Sequence, residues 1–176
     1  MKKYILLILL LNFGIGIAQT EFPFYEQIAF DFYHSKIIDS FPTKKKVKVY
    51  PYVMDFHPSG NAFSYPNCLG VTWKGSGQFK KLESYVETQN NIDSERFELN
   101  FTKLNKKKFK IKKRGIGNYP RLHITAPHKE KNGTDRIFVN IHETHKDIYV
   151  TYYFEFNDKG QIINWCKGID EIIRTY

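Results

Sequence analysis

No Gly-x-Ser-x-Gly elbow, no Cys-x-x-Cys pair, no P-loop and no dinucleotide glycine fingerprint occurs anywhere in the 176 residues. Their absence leaves nucleophilic catalysis without a candidate and removes both common phosphate cradles. Gly75-Ser76-Gly77 comes nearest to a cradle. It lacks the Lys-Ser/Thr ending and the dinucleotide spacing, so it reads as turn chemistry. His142-Glu143-Thr144-His145 is one residue short of the zinc-protease spacing and lies where the pattern is β rather than helical. No aspartic pair stands out. Cysteine is scarce, with only Cys68 and Cys166 present. In an oxidising compartment these two have a single way to pair, and a bridge closing so long a loop contributes about 4 kcal/mol. The alternative is two buried, reduced thiols. Internal repeats and low-complexity tracts are absent, and no second long apolar run follows the first eighteen residues.

Those eighteen residues read as a secretory leader. Lys2 and Lys3 form a positive start, Tyr4 to Leu11 is unbroken apolar sequence, and Gly16-Ile17-Ala18 supplies small residues for cleavage before Gln19. The apolar run is interrupted at Asn12 and is too short for the ~20 residues that cross a bilayer. The expectation is a signal peptide over 1–18 and one globular domain over 19–176, exported to the periplasm or beyond, with no transmembrane segment and no lipid anchor. Asn100-Phe101-Thr102 and Asn132-Gly133-Thr134 match the glycosylation sequon, which matters only if the host secretes through an endoplasmic reticulum.

Basic residues dominate the charge. There are 27 against 18 acids, a net +9, and removing Lys2 and Lys3 with the leader leaves 25 against 18, or +7. A composition 41% hydrophobic and 16% aromatic belongs to a globular chain, long enough to form one core. Eight basic residues fall within the twelve from Lys103 to Arg114. Alternation sets Lys108, Lys110 and Lys112 on one strand face and Phe109 and Ile111 on the other. Together with Lys106, Lys107, Lys113 and Arg114 they form a candidate polyanion-binding stripe, suited to anionic polysaccharide, lipid headgroups or extracellular nucleic acid. Lysine on an edge strand also blocks unwanted sheet pairing, and the chain is generally rich in Lys, Asn, Ile, Phe and Tyr.

Pro23 to Ile38 has helical spacing, with Phe30, Tyr33, Ile37 and Phe41 in one row and Phe24, Ile28 and Phe32 beside it, and Pro42 as the stop. Lys46 to Val49 alternates as a strand, and Pro51 confines its continuation through Phe56 to an edge or a bulge. Residues 57–67 read as loop and Leu69 to Trp73 as a short strand. Phe79, Leu82, Tyr85 and Val86 suit a short helix capped by Ser76. From Arg96 onward the period is two. Phe97 to Phe101 and Phe109 to Ile111 form an expected hairpin, followed by strands at Leu122–Ala126, Ile137–Ile141, Ile148–Phe156 and Gln161–Cys166, and a helical turn over Ile169–Tyr176. The fold class is α+β: an N-terminal helix or two packed on a largely antiparallel, meander-like curved sheet. This succession resembles that of nuclear-transport-factor-2-like and cystatin-like domains, a likeness of element order from which no family membership follows. An eight-stranded barrel is the alternative.

Asn132-Gly133 fixes a register. A two-residue type I′ loop there sets Lys131 against Thr134, Ala126 against Val139, Ile124 against Ile141 and His123 against His142. A loop over Glu143 to Lys146 then sets Ile141 against Ile148, Val139 against Val150 and His142 against Asp147. His123, His142 and Asp147 thereby share the polar face of three adjacent strands, ~5 Å apart, with His145 nearby. Such a row suits a carboxylate orienting an imidazole, or a metal held by His123, His142, His145 and Asp147, or equally an ordinary solvated sheet face. Asp55 with His57 and Asp31 with His34 share faces that charge-assisted pairing explains. No motif indicates a cofactor. The leading functional expectation is an exported, non-enzymatic binding or accessory domain with a basic surface, its partner an anionic polymer or an envelope component. The alternative is a small metal- or His/Asp-dependent hydrolase on His123, His142 and Asp147, lined by Tyr149 and Tyr153. A purely structural envelope role is a third.

Overall fold

The structure is a computed structural model that describes residues 23–38, 45–54, 67–72, 74–75, 77–83, 99–113, 120–131 and 134–171. The expected leader, Asp55, His57, Arg114, and the residues of Asn132-Gly133 themselves lie outside these ranges.

One helix and a large mixed sheet make up the described chain. Helix α1 (Tyr25–Phe32) runs on into a wider π turn, Tyr33–Ile37, where the Ser35 hydroxyl donates to the Asp31 carbonyl at 2.7 Å. Tyr25, Ala29, Phe30, Tyr33 and Ile37 bury on its inner face, and Phe24, Ile28 and Phe32 pack at the core's margin. The described members of both predicted rows therefore face the sheet, while Phe41 and Pro42 lie outside the described residues. The strands are β1 (Val47–Met54), β2 (Phe79–Lys81), β3 (Phe109–Ile111), β4 (Arg121–Thr125), β5 (His128–Glu130), β6 (Ile137–Thr144), β7 (Ile148–Phe156) and β8 (Ile162–Glu171).

Strand β6 is the spine. One edge pairs throughout with β7, which pairs with β8, and the other edge pairs first with β5 and then with β4. β1 lies beside β4 and β2 beside β5, with β3 outside β1. The sheet is not closed into a barrel: among the described residues β3 pairs only with β1, and β8 only with β7.

Several expectations are corrected. β1 runs parallel to both β3 and β4, so the sheet is mixed, although its other described pairings are antiparallel as expected. Phe109–Ile111 pairs with β1, and among the described residues it has no hairpin partner; Phe97, the start of the expected partner strand, lies outside the described residues. Leu99 is instead buried, and Phe101 packs edge-on against Phe30 with ring centroids 5.4 Å apart. Phe79, expected in a second helix, begins β2. Asn67–Leu69 is a 3₁₀ turn where a strand was expected from Leu69, and Ile169–Glu171 continues β8 instead of turning helical. Pro51 does mark an irregularity. Between Val49 and Val53 the register against β4 shifts, so that Tyr50, Pro51 and Tyr52 stand against His123 alone.

The first hairpin is looser than a two-residue loop. Lys129 stands opposite Ile137, and the Glu130 N–H donates to the Arg136 carbonyl, so Lys131 is not opposite Thr134. Asp135 takes the left-handed conformation, at φ +49°, and ion-pairs with Lys129. Further along, Thr125, Ala126 and Pro127 face only Val139 and Asn140, a bulge at the residue that has no N–H to give the ladder. The bulge cancels the offset introduced at the loop, and Ile124 meets Ile141 as the sequence predicts.

The helix side of the sheet carries the main core, including Val47, Val49, Leu122, Ile124, Val139, Ile141, Phe154 and Phe156. Each such side chain contributes roughly 1.5–3 kcal/mol by leaving water. Gly160, in the β7–β8 turn, sits at φ +75° against Pro23, whose Cβ lies 2.6 Å from where a Cβ on Gly160 would be. Glycine is required there on both counts. On the opposite side a smaller cluster of Leu69, Val71, Phe79, Phe138 and Tyr153 forms beneath residues 67–72 and 77–81. Three attachments hold that cover. Cys68 and Cys166 form a disulfide, with Cα atoms 6.1 Å apart. Arg136 grips both Glu155 oxygens, at 2.6 and 3.0 Å, while donating to the Leu69 carbonyl at 2.7 Å. Buried Gln78 accepts from the Lys74 N–H and donates to the Thr72 carbonyl and to Glu130. No described helix is long and apolar enough to cross a membrane.

Candidate functional site

The predicted polar row forms in part. His123 and His142 are cross-strand partners on the side of the sheet away from the helix. His142 is not on a solvated face, since it is only 1% exposed. Its ring stacks on Tyr149 at 5.2 Å, and Nδ1 lies 3.1 Å from the Thr151 hydroxyl. Burial first, and then His123, hold its pKa down to about 3, so the imidazole is neutral at neutral pH. His123 is half-buried and packs edge-on against Tyr50 at 5.5 Å. Its pKa is lowered by burial and then by Arg121.

Asp147 is elsewhere. The β6–β7 hairpin closes with the His145 N–H donating to the Ile148 carbonyl, which leaves Lys146 and Asp147 exposed in the turn. His142 consequently meets Thr151, Ile141 meets Tyr152 and Val139 meets Phe154, each four residues further along β7 than predicted. A shift of four preserves which face each residue occupies, and for that reason the alternating pattern could not reveal it. His145 reaches back to the other face, its Nε2 3.0 Å from Glu143 Oε1. Of the four candidate metal ligands, then, His123 and His142 are neighbours while His145 and Asp147 are not part of their row. Among the described residues no three His, Cys, Asp or Glu side chains gather as a metal site. His34 likewise does not bond Asp31: its Nε2 accepts from the Asn105 N–H at 3.1 Å, and Asp31 accepts from Gln27.

Glu143 itself was not singled out by its sequence. It occupies an apolar-parity position of β6, after Ile137, Val139 and Ile141, and is 3% exposed. Tyr33 and Tyr152 both donate to its Oε2, at 2.9 and 3.2 Å. Burial and then the carboxylate push both phenols above their ordinary pKa. The arrangement satisfies a buried carboxylate and ties the helix to the sheet.

Compared with known proteins, the chain matches no family model, no curated protein and no solved structure.

What distinguishes the surface is charge. β3 sets Phe109 into the core, against Phe30, Tyr33 and His34, while Lys110 and Lys112 are exposed on its other face, with Lys106, Lys107 and Lys113 exposed nearby and Lys108 half-buried. The stripe predicted on this strand is thus placed on the sheet's outer edge. Parallel pairing extends it across the sheet, because Lys48 of β1 stands opposite Lys110 on one side and Arg121 of β4 on the other. Partial desolvation, and then Lys112, Arg121, Lys110 and Lys45, lower the pKa of the Lys48 ammonium. Like charges directly opposite on neighbouring strands oppose folding. Lys48 and Arg121 are therefore the residues the sequence reading missed. They lie far apart in the chain, and only the parallel register joins them. The same face continues into Tyr50, which meets Tyr52 at 5.3 Å as well as His123.

Proposed function

We propose that the chain is an exported binding module that holds an anionic polymer on the outer face of β3, β1 and β4. The observation that carries this reading is the row Lys110, Lys48 and Arg121, like charges set side by side across three strands. An anionic polymer is drawn to such a concentration of cations and releases counterions on binding. The Cys68–Cys166 disulfide is compatible with an oxidising destination, as the basic leader-like start of the sequence is. The hydrolase alternative has His123 beside His142 but lacks its carboxylate partner there, because Asp147 stands in the β6–β7 turn.

Retention on a heparin column tests the proposal. The protein combining Lys48→Gln, Lys110→Gln and Lys112→Gln is expected to elute at clearly lower salt than the wild type. Lys159→Gln, in the exposed β7–β8 turn, removes the same charge per residue at a distance and serves as the control. Equal elution of wild type and triple variant would count against the assignment of this face.

A further inference from the structure

The identity of the polymer follows from a second row of side chains, if the anion-binding reading of this face is right. Lys110, Lys48 and Arg121 occupy one level of β3, β1 and β4. Two residues further along, on the same face, Tyr50 of β1 meets His123 of β4 with ring centroids 5.5 Å apart, and Tyr52 adjoins Tyr50 at 5.3 Å. Two residues of strand span about 7 Å, so the Tyr50–His123 ring pair, which crosses from β1 to β4, lies that far from the line of cations, and Tyr52 extends the rings along β1. Both sets reach solvent: Lys110 is exposed, and Lys48, Arg121, Tyr50, Tyr52 and His123 are each half-buried.

A ligand matching both sets must carry its charge along one edge and flat, apolar groups along the other. Sulfated polysaccharides bear their charge on the sugar rings themselves, so charge and ring fall on one line. Duplex nucleic acid shows its phosphates but hides its base faces in the stack. A lipid surface offers headgroup charge and no planar rings. An unpaired nucleic acid strand separates phosphates from splayed bases in the required way, and cationic grooves with aromatic stacking platforms are how such strands are held. We propose that the β3–β1–β4 face binds single-stranded nucleic acid, with phosphates along Lys110, Lys48 and Arg121 and bases against Tyr50 and His123.

Fluorescence anisotropy with the full, disulfide-bonded chain tests this. The probes are a labelled oligodeoxythymidylate, an abasic strand of the same length, the corresponding duplex, and heparin. The wild type is expected to bind the oligodeoxythymidylate about tenfold more tightly than the abasic strand, since only the former has bases to stack on the rings. Tyr50→Leu should erase most of that difference while leaving heparin affinity unchanged, and Tyr50→Phe should retain it. The abasic comparison needs only the wild type, so it decides the question even if Tyr50→Leu folds poorly. Equal affinity for the abasic strand, or tighter binding of duplex or heparin than of the oligodeoxythymidylate, overturns the nucleic-acid assignment and leaves the anion-binding reading standing. Failure to bind any of the four probes overturns both.

Discussion

At position 142 the chain places an imidazole between a tyrosine ring and a threonine hydroxyl, almost out of contact with water. His128 is equally enclosed, edge-on to Phe79 at 5.3 Å and stacked on Phe138 at 5.7 Å. Burial holds both pKa values down to about 3, against 6.5 when unfolded. Below pH 6.5 the unfolded chain takes up protons that the folded chain refuses. The stability these residues allow is therefore complete above pH 6.5 and is lost progressively as pH falls toward 3. The urea midpoint is expected to drop between pH 7 and pH 4, and His128→Phe, whose ring suits the same aromatic slot, should drop less over that interval. Parallel midpoint curves for variant and wild type would show that His128 does not resist protonation. At this scale the sequence was partly legible. Parity paired His123 with His142 correctly, because the bulge at Ala126 and Pro127 repaid the offset of the preceding loop. Parity had no power over Asp147, since an even shift of register leaves every face unchanged. Glu143 was hidden because its partners Tyr33 and Tyr152 come from a helix and a neighbouring strand.

Among the elements, alternation and Asn/Gly turns announce β4, β6, β7 and the first half of β8, whereas β5 goes unannounced and β8 runs on past Cys166 to Glu171. β2 was misread because Phe79 and Leu82 fit a helical spacing over too short a window to exclude a strand. What local signals could not convey is β1, whose neighbours β3 and β4 lie parallel to it and more than fifty residues away. Turn chemistry reports hairpins, and a parallel pair has none. The cover on the second face, residues 67–72 and 77–81, pairs among the described residues only through β2 with β5 and depends on its attachments. Cys68 joins the 3₁₀ turn to β8 across a sequence separation of 98 residues. Replacing both cysteines by alanine is expected to lower stability by about 4 kcal/mol. The check is the urea midpoint of that variant beside the oxidised wild type, and coincident midpoints would mean that Arg136 and Gln78 hold the cover unaided.

For the molecule as a whole, the helix covers one side of an open mixed sheet and leaves a cationic edge on the other side, where β3, β1 and β4 meet. Net charge alone, +9 over the full sequence, promises only a general affinity for anions. The fold concentrates it. Lys110, Lys48 and Arg121 come from three separate stretches of sequence and reach one level of the sheet only because β1 runs parallel to both neighbours. The most direct measurement is the dependence of heparin affinity on salt concentration, on logarithmic axes, for the wild type and for Lys48→Gln, Lys110→Gln and Arg121→Gln combined. Each cation that meets the polymer should flatten the slope by roughly 0.7 to 1 when removed, so the triple variant should lose about 2 to 3. A slope unchanged by the three substitutions would contradict the account.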